Sequence, residues 1–379
     1  MNIDQEALEL HRQLKGKIEV CSKAPVKDRR DLSLLYTPGV GAVSLAIAKD
    51  PNLVWQMTGR GNAVAIVTDG SAVLGLGNIG PEAALPVMEG KALLFKEFGG
   101  VDAYPICLAT HDTDEIVRIV KALAPSFGAV NLEDISAPRC FEIEERLQKE
   151  LDIPVFHDDQ HGTAIVVLSG LLNAVKLTGK KLTDLRIAIS GAGAAGTATA
   201  LLLKKGGVGD VVVVDSKGIV ASDRANLSEA KKRLAAATNR DAISGDLFAA
   251  VLGRDVFVGL SAPGVLTAEM VKSMALDPII FAMANPIPEI MPDVARIGGA
   301  RLIATGRSDL PNQINNVLAF PGVFRGVLDG RIPRVTDEMK IAAAHAIAGC
   351  VQPTAEQFVP SVLDPTVAQA VAEAIRGSY

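Results

Sequence analysis

At 379 residues, with 49% apolar side chains but only 4% aromatic ones, the chain can bury more than one core and suits two or three α/β domains. A formal net charge of −5 leaves no basic face for a phosphate backbone and argues against a nucleic-acid partner. The acidic, polar start Met1-Asn2-Ile3-Asp4-Gln5-Glu6 is unlike a secretory or transit leader.

The first thirty residues read as a polar, helical arm. Asn62 to Asp69 then reads as a strand closed by Gly70. A helix follows from Pro81 to Phe98, with proline in its first turn and Gly99-Gly100 beyond its end. Val101 to Leu108 is expected as a strand, and Asp112 to Leu123 as a helix capped by Asp112 or Thr113. Ala129 to Leu132 is a short strand ending on acids, and Pro138 opens a helix to about Leu151. Ile153 to Phe156 is another short apolar strand, ending on His157-Asp158-Asp159. This alternation predicts crossover helices between largely parallel strands.

A second unit begins with a mostly apolar, buried helix over Gly162 to Leu177. Strands are expected at Leu185 to Ser190, Val211 to Val214, Val256 to Gly259, Ile279 to Ala284 and Leu302 to Thr305, with a helix over Ala194 to Lys205. Helices near Thr336 to Cys350 and Pro365 to Ile375 close the chain and are placed to fold back on the first unit. The apolar run Ile187 to Leu203 is broken by glycines and ends on Lys204-Lys205, which suits a buried strand, turn and helix better than a membrane span. Cys21, Cys107, Cys140 and Cys350 form no CxxC pair and read as reduced thiols of a cytoplasmic protein.

Gly191-Ala192-Gly193-Ala194-Ala195-Gly196 lies between the strand ending at Ser190 and a helix, and a second strand ends on Asp215 about twenty residues later. A glycine turn alone is weak, but this context predicts a dinucleotide site. Gly191 allows the tight turn, Gly193 the approach of a pyrophosphate, and Gly196 close packing, with the helix N–H groups facing the phosphates. Asp215 can accept from the adenine ribose hydroxyls, which leans towards NAD, but Lys217 can offset its charge and leaves NADP open.

Glu133-Asp134 and Asp158-Asp159 each follow a short strand, and carboxyl ends of parallel strands line ligand crevices. Carboxylates crowded there call for a cation with hard oxygen ligands, Mg²⁺ or Mn²⁺. Spacing alone slightly favours the alternative of helix caps and solvated loop acids, with Asp134 capping the helix at Pro138. Lys91, within a helix, is by default solvated, and desolvated it could act as a base. Tyr36, before the turn Thr37-Pro38-Gly39, is by default core filler.

These segments together resemble the malic enzyme family, in particular its short bacterial and archaeal members. The matching stretches, in family order, are Tyr36-Thr37-Pro38-Gly39-Val40, Thr68-Asp69-Gly70 leading to Leu74-Gly75-Leu76-Gly77, and Gly90-Lys91-Ala92. They continue through Asn131-Leu132-Glu133-Asp134-Ile135, Phe156-His157-Asp158-Asp159-Gln160-His161-Gly162-Thr163-Ala164, Ala284-Asn285-Pro286, Asn312-Gln313-Ile314-Asn315-Asn316 and Phe320-Pro321-Gly322. So ordered a set overturns the preference for caps at the acids.

The resemblance implies oxidative decarboxylation of L-malate to pyruvate and carbon dioxide, with NAD or NADP and Mg²⁺ or Mn²⁺. Glu133, Asp134 and Asp159 match the metal ligands, Lys91 the general base, with its pKa expected to be lowered, Tyr36 the acid that protonates the enolate, and Asp158 the acid beside the metal ligand. Asn285 and Asn315 match asparagines on the substrate or nicotinamide side, and Asn316 is a weaker match. The implied fold is α/β: a malate- and metal-binding domain over 1–160, then a Rossmann-type doubly wound parallel-sheet domain over 161–379. A homodimer is implied, with neither nucleic-acid nor membrane partners, and no appended acyltransferase-like module. One departure stands out: Ser71-Ala72-Val73 holds no arginine where larger members clamp a substrate carboxylate. The rival readings are a metal-dependent hydroxy-acid dehydrogenase that does not decarboxylate, and a non-catalytic nucleotide or metabolite sensor.

Overall fold

The computed structural model describes residues 3–73 and 75–379, so Leu74 of the matched segment and the first two residues lie outside the described residues. An arm of short helices comes first: α1 (Ile3–Leu14), α2 (Arg29–Leu35), α3 (Val40–Lys49) and α4 (Val54–Met57). No residue of these four helices is buried, and Leu34, Leu35, Val40, Val43 and Leu45 stand exposed.

A parallel four-stranded sheet follows, built from β1 (Ala63–Thr68), β2 (Asp102–Cys107), β3 (Ala129–Leu132) and β4 (Val155–His157) in the order β2-β1-β3-β4. The connecting helices are α5 (Pro81–Gly99), α6 (Thr113–Leu123) and α7 (Arg139–Glu150). Pro81 starts α5 and Gly100, at φ 62°, ends it, as expected of proline at a helix start and a left-handed glycine at its end. The Asp112 carboxylate caps α6 through the N–H of Glu115. Asp134 does not cap α7: Pro138 is the N-cap residue and no side chain bonds there.

The long helix α8 (Asp158–Thr178) starts directly after β4, earlier than the apolar pattern indicates, and so carries Asp158 and Asp159 in its first turn. There the helix dipole favours negative charge. The second sheet comprises β5 (Arg186–Ser190), β6 (Asp210–Asp215), β7 (Gly218–Ile219), β8 (Val256–Gly259), β9 (Ile279–Ala282) and β10 (Leu302–Thr305), in the order β10-β9-β8-β5-β6-β7. Only β7 is antiparallel. The strands β5, β8, β9 and β10 are apolar and nearly wholly buried, which is why their sequences read as continuous runs rather than alternation. Helix α9 (Ala194–Lys205) follows the glycine turn, and α10 (Glu229–Ala237), α11 (Leu247–Val251), α12 (Ala268–Lys272) and α13 (Pro292–Ile297) lie between the later strands.

The chain closes with α14 (Phe320–Gly330), α15 (Asp337–Gly349) and α16 (Pro365–Gly377). These do fold back: Phe320 and Phe324 of α14 pack against Phe95 of α5, tilted and edge-on, at 4.7 and 5.1 Å between ring centres. One buried core runs from Val64, Ile66 and Phe156 through α8 to Ile187, Val211 and Val258. Asn173 of α8 donates to the carbonyls of Ala348 and Phe358 at 2.9 and 3.1 Å, which fastens the closing segment to the same helix. By length and composition, residues 29–49 and 158–178 are apolar enough to cross a membrane; the second stretch is 67% buried inside the protein.

Candidate active site

In both sheets the chain order reverses, between β1 and β3 and between β5 and β8, and loops diverge at the carboxyl ends of such neighbouring strands. At the first reversal Glu133 and Asp134 follow β3, and Asp159 follows β4. One carboxylate oxygen from each lies within 4.8 Å of the others. Asp134 takes φ 53°, and its N–H donates to Asp159 Oδ2 at 2.8 Å, so the loop after β3 is tied to the first turn of α8.

Lys91 reaches this cluster from the middle of α5. It is 7% exposed, and its Nζ sits 2.8 Å from Glu133 Oε1, 2.6 Å from Asp158 Oδ2 and 4.3 Å from the centre of the Phe320 ring. Burial alone would lower its pKa, but Asp158 and Glu133 outweigh it and push the pKa up. This differs from the lowered value expected from the sequence, because the neighbours that burial brings are carboxylates. Burial raises Glu133 to about 7, with Asp159 adding and Lys91 opposing. Burial likewise raises Asp158 to about 7 and Asp159 to about 6. Four crowded carboxylates against one ammonium leave an excess of negative charge and hard oxygen donors, which fits a divalent cation of the Mg²⁺ or Mn²⁺ type. Asn131 steadies Glu133 at 2.8 Å, and Asn316 Nδ2 donates to Asp158 Oδ2 at 2.5 Å.

Two supporting groups escaped the sequence reading. The buried Asp69 accepts from Arg139 at 2.8 Å and from Ser71 Oγ at 2.5 Å, while Arg139 also donates to the Oγ atoms of Ser71 and Ser136. Arg139 thus fastens the loop after β1 to the loop after β3 that carries Glu133 and Asp134. Glu144 of α7 accepts from the backbone N–H of His157 at 2.9 Å and from Gln160 Nε2 at 3.0 Å, which anchors the start of α8 from its other side. Both rest on contacts distant in sequence; the only local sign was Asp69, directly after a strand.

The glycine turn has the geometry its spacing predicts. Gly191 has φ 110°, and a Cβ there would lie 2.3 Å from the Leu260 carbonyl. A Cβ at Gly196 would lie 1.8 Å from the Gly191 carbonyl, whereas Gly193 faces open space. No side chain caps α9, so its first N–H groups remain available to phosphate oxygens. Those three observations fit a dinucleotide pyrophosphate. Asp215 ends β6 with its acceptor positions filled: Arg224 binds both oxygens at 2.9 and 2.6 Å, Lys231 donates at 2.5 Å, and the Lys217 N–H at 2.8 Å. Burial works against the charged form, but these donors outweigh it and hold the Asp215 pKa well below the usual range. The charge that offsets Asp215 therefore comes from Arg224 and Lys231, while the Lys217 side chain is exposed.

A crevice of about 560 Å³ joins the two reversals. Asp159 and Ala72 line it from the first sheet, and Gly193, Ala194, Ala195, Ser261 and Asn285 from the second, with Asn315 and Asn316 between. Ala192 packs against the core, beside Gly191 and Gly196. Asn315 also caps the following turn through the Val317 N–H at 3.0 Å. No arginine or lysine lines the crevice among the described residues, so the basic residue missing after Asp69 has no replacement within it. Tyr36 is not brought to the site: it is 67% exposed on the arm and lines no part of the crevice.

Comparison with known proteins agrees with this architecture. Residues 15–148 match the family model "Malic enzyme, N-terminal domain", and residues 160–376 match "Malic enzyme, NAD binding domain". The chain is 57% identical to the bifunctional malic/malolactic enzyme of Bacillus subtilis, covering 99% of this chain and 92% of the relative. It is 55% identical to an NAD-dependent malic enzyme of Geobacillus stearothermophilus, covering 99% and 78%. Relatives named NADP-dependent malic enzymes also match, at 50% and 46% identity. The crystal structure of an NAD-dependent malic enzyme from Thermotoga maritima superposes with a TM-score of 0.95 at 50% identity, covering 98% of this chain and 99% of that one. With Asp159 of a crowded carboxylate cluster and a glycine turn lining one crevice, and with both halves matched in order, the chain belongs to the malic enzyme family.

Proposed function

We propose that the protein oxidises L-malate to pyruvate and carbon dioxide, reducing NAD or NADP, with Mg²⁺ or Mn²⁺ held by Glu133, Asp134 and Asp159. The observation that carries this reading is Lys91, buried between Glu133 and Asp158 in the cluster whose Asp159 lines the dinucleotide crevice.

A bound divalent cation would supply electrophilic pull on the oxygens of malate. Lys91 takes the proton of the malate hydroxyl as hydride leaves carbon-2 towards the nicotinamide. To act as that base, Lys91 must first give up its own proton to solvent, and a cation held by Glu133 would loosen the Lys91–Glu133 pair and favour that loss. Asp158, itself held by Asn316, orients the Lys91 amine towards the substrate. Asn285 and Asn315 bind the substrate and nicotinamide from the second sheet, and the backbone N–H groups at Gly193 to Ala195 hold the pyrophosphate. Loss of the β-carboxylate leaves an enolate, and Tyr36 donates the proton to its carbon-3.

That last role requires Tyr36 to reach a crevice it does not line. A second copy of the chain, covering the apolar faces of α2 and α3, would bury Leu34, Leu35 and Leu45 and could seat the tyrosine at a site. We therefore propose the homodimer and the Tyr36 role together. Light scattering of Leu45→Asp tests the pair: dissociation together with loss of turnover is the expected outcome. We also take residue 160 as the domain boundary, and the four unpaired cysteines favour a cytoplasmic setting.

The deciding assay supplies L-malate and Mn²⁺ with either dinucleotide and measures both products. Equal amounts of carbon dioxide and reduced dinucleotide are expected. Reduced dinucleotide without carbon dioxide would instead establish a dehydrogenase that does not decarboxylate.

A further inference from the structure

Glu289 lies beyond the reacting groups, yet it is fully buried, 0% exposed, in the loop after β9. Its carboxylate takes part in no ion pair among the described residues. Oε1 accepts the N–H of Ser261 at 3.0 Å, and Oε2 accepts the N–H of Ala284 at 3.0 Å. Ser261 belongs to the loop after β8 and Ala284 to the loop after β9. Both line the crevice, and Ala284 immediately precedes Asn285. The backbone carbonyl of Glu289 also accepts from Leu266 at 3.1 Å, a third tie between the same two loops.

The space for this carboxylate is built by Gly259, the last residue of β8. A Cβ on Gly259 would sit 2.2 Å from the Glu289 carboxyl carbon. Burial pushes the Glu289 pKa up, and the backbone donors oppose it. A buried carboxylate without a cation is costly, and here a backbone donor on each oxygen offsets that cost. A neutral amide in its place could present an acceptor to one loop but would turn a donor towards the other.

Resting on the dinucleotide reading above, we infer that Glu289 is a positioning residue: a two-point clamp that fixes the loops after β8 and β9 at the separation the nicotinamide half of the dinucleotide requires. It touches neither substrate nor dinucleotide and acts through Ser261 and Ala284.

The clamp is tested with Glu289→Gln and, from the opposite strand, Gly259→Ala, which forces the carboxylate out of place. In calorimetric titrations without malate, each variant should bind NAD and NADP about tenfold more weakly, as leaving one buried N–H unsatisfied implies. The Mn²⁺ affinity should stay unchanged, because the metal carboxylates belong to the other sheet. The double variant should bind about as weakly as either single one, since both remove the same device. Thermal unfolding is followed in parallel. Variants that unfold at lower temperature yet bind both dinucleotides as the wild type does would reduce Glu289 to a structural residue and overturn the clamp. Additive losses in the double variant would also overturn it. A wild type that binds neither dinucleotide would instead remove the dinucleotide reading, and the clamp with it.

Discussion

The carboxyl ends of the two sheets meet at one crevice but are built from opposite materials. The first gathers four carboxylates and a lysine, with charge exceeding what the protein itself neutralises. The second presents glycine, alanine and backbone N–H groups, and Glu289, a deep carboxylate there, is occupied by the backbone. The difference shows two ways of making a ligand site. A cation is recruited by leaving charge uncompensated, which costs stability until the ion arrives. A pyrophosphate is recruited by leaving N–H groups and space, which costs little and is set by glycine positions.

Substitutions should therefore separate by sheet. The largest effect is expected at Lys91→Ala, where malate turnover should fall by about 10³-fold or more while dinucleotide titrations stay near wild type and Mn²⁺ binds no more weakly, since Glu133 loses a competing cation. Turnover at the wild-type rate would remove the lysine from the chemistry. Next, Asp159→Asn should weaken Mn²⁺ binding by about a hundredfold, with NAD affinity unaltered, as paired calorimetric titrations would read. Gly191→Ala should do the reverse. Its φ of 110° and the nearby Leu260 carbonyl leave no room for a methyl group, so dinucleotide affinity should fall at least about tenfold with Mn²⁺ affinity unchanged. The smallest effect is expected at Arg224→Ala, which frees Asp215 to accept from ribose hydroxyls. The ratio of kcat/KM for NAD to that for NADP should rise about tenfold. An unchanged ratio would take the cofactor choice away from this pair.

Much of this was legible beforehand because the signals are local. Strands buried on both faces read as short apolar runs, and β3, β8, β10 and α9 begin and end where the sequence places them. The glycine turn and the acids after β3 and β4 likewise carry their meaning in a few neighbouring residues. The start of α8 was not legible, since His157-Asp158-Asp159 has no apolar periodicity and enters the helix through Glu144, a residue of another helix. The charge state of Lys91, the engagement of Asp215 by Arg224 and Lys231, and the latch at Arg139 depend on partners 9 to 70 positions away. Tyr36 marks another limit, because its exposed arm takes meaning only from what covers it.

Helix α8 sets how far the molecule can be divided. Its first turn carries Asp159, its middle lies in the core shared by both sheets, and Asn173 holds the closing segment. A cut before residue 158 would leave Phe156 and Ile66 facing water on one piece, and on the other a helix with half its partners gone. The two halves, each with a sheet of its own, should aggregate when expressed apart and regain a shared fold only when expressed together. The pair of sheets is thus one indivisible unit of stability, even though its chemistry divides cleanly between them.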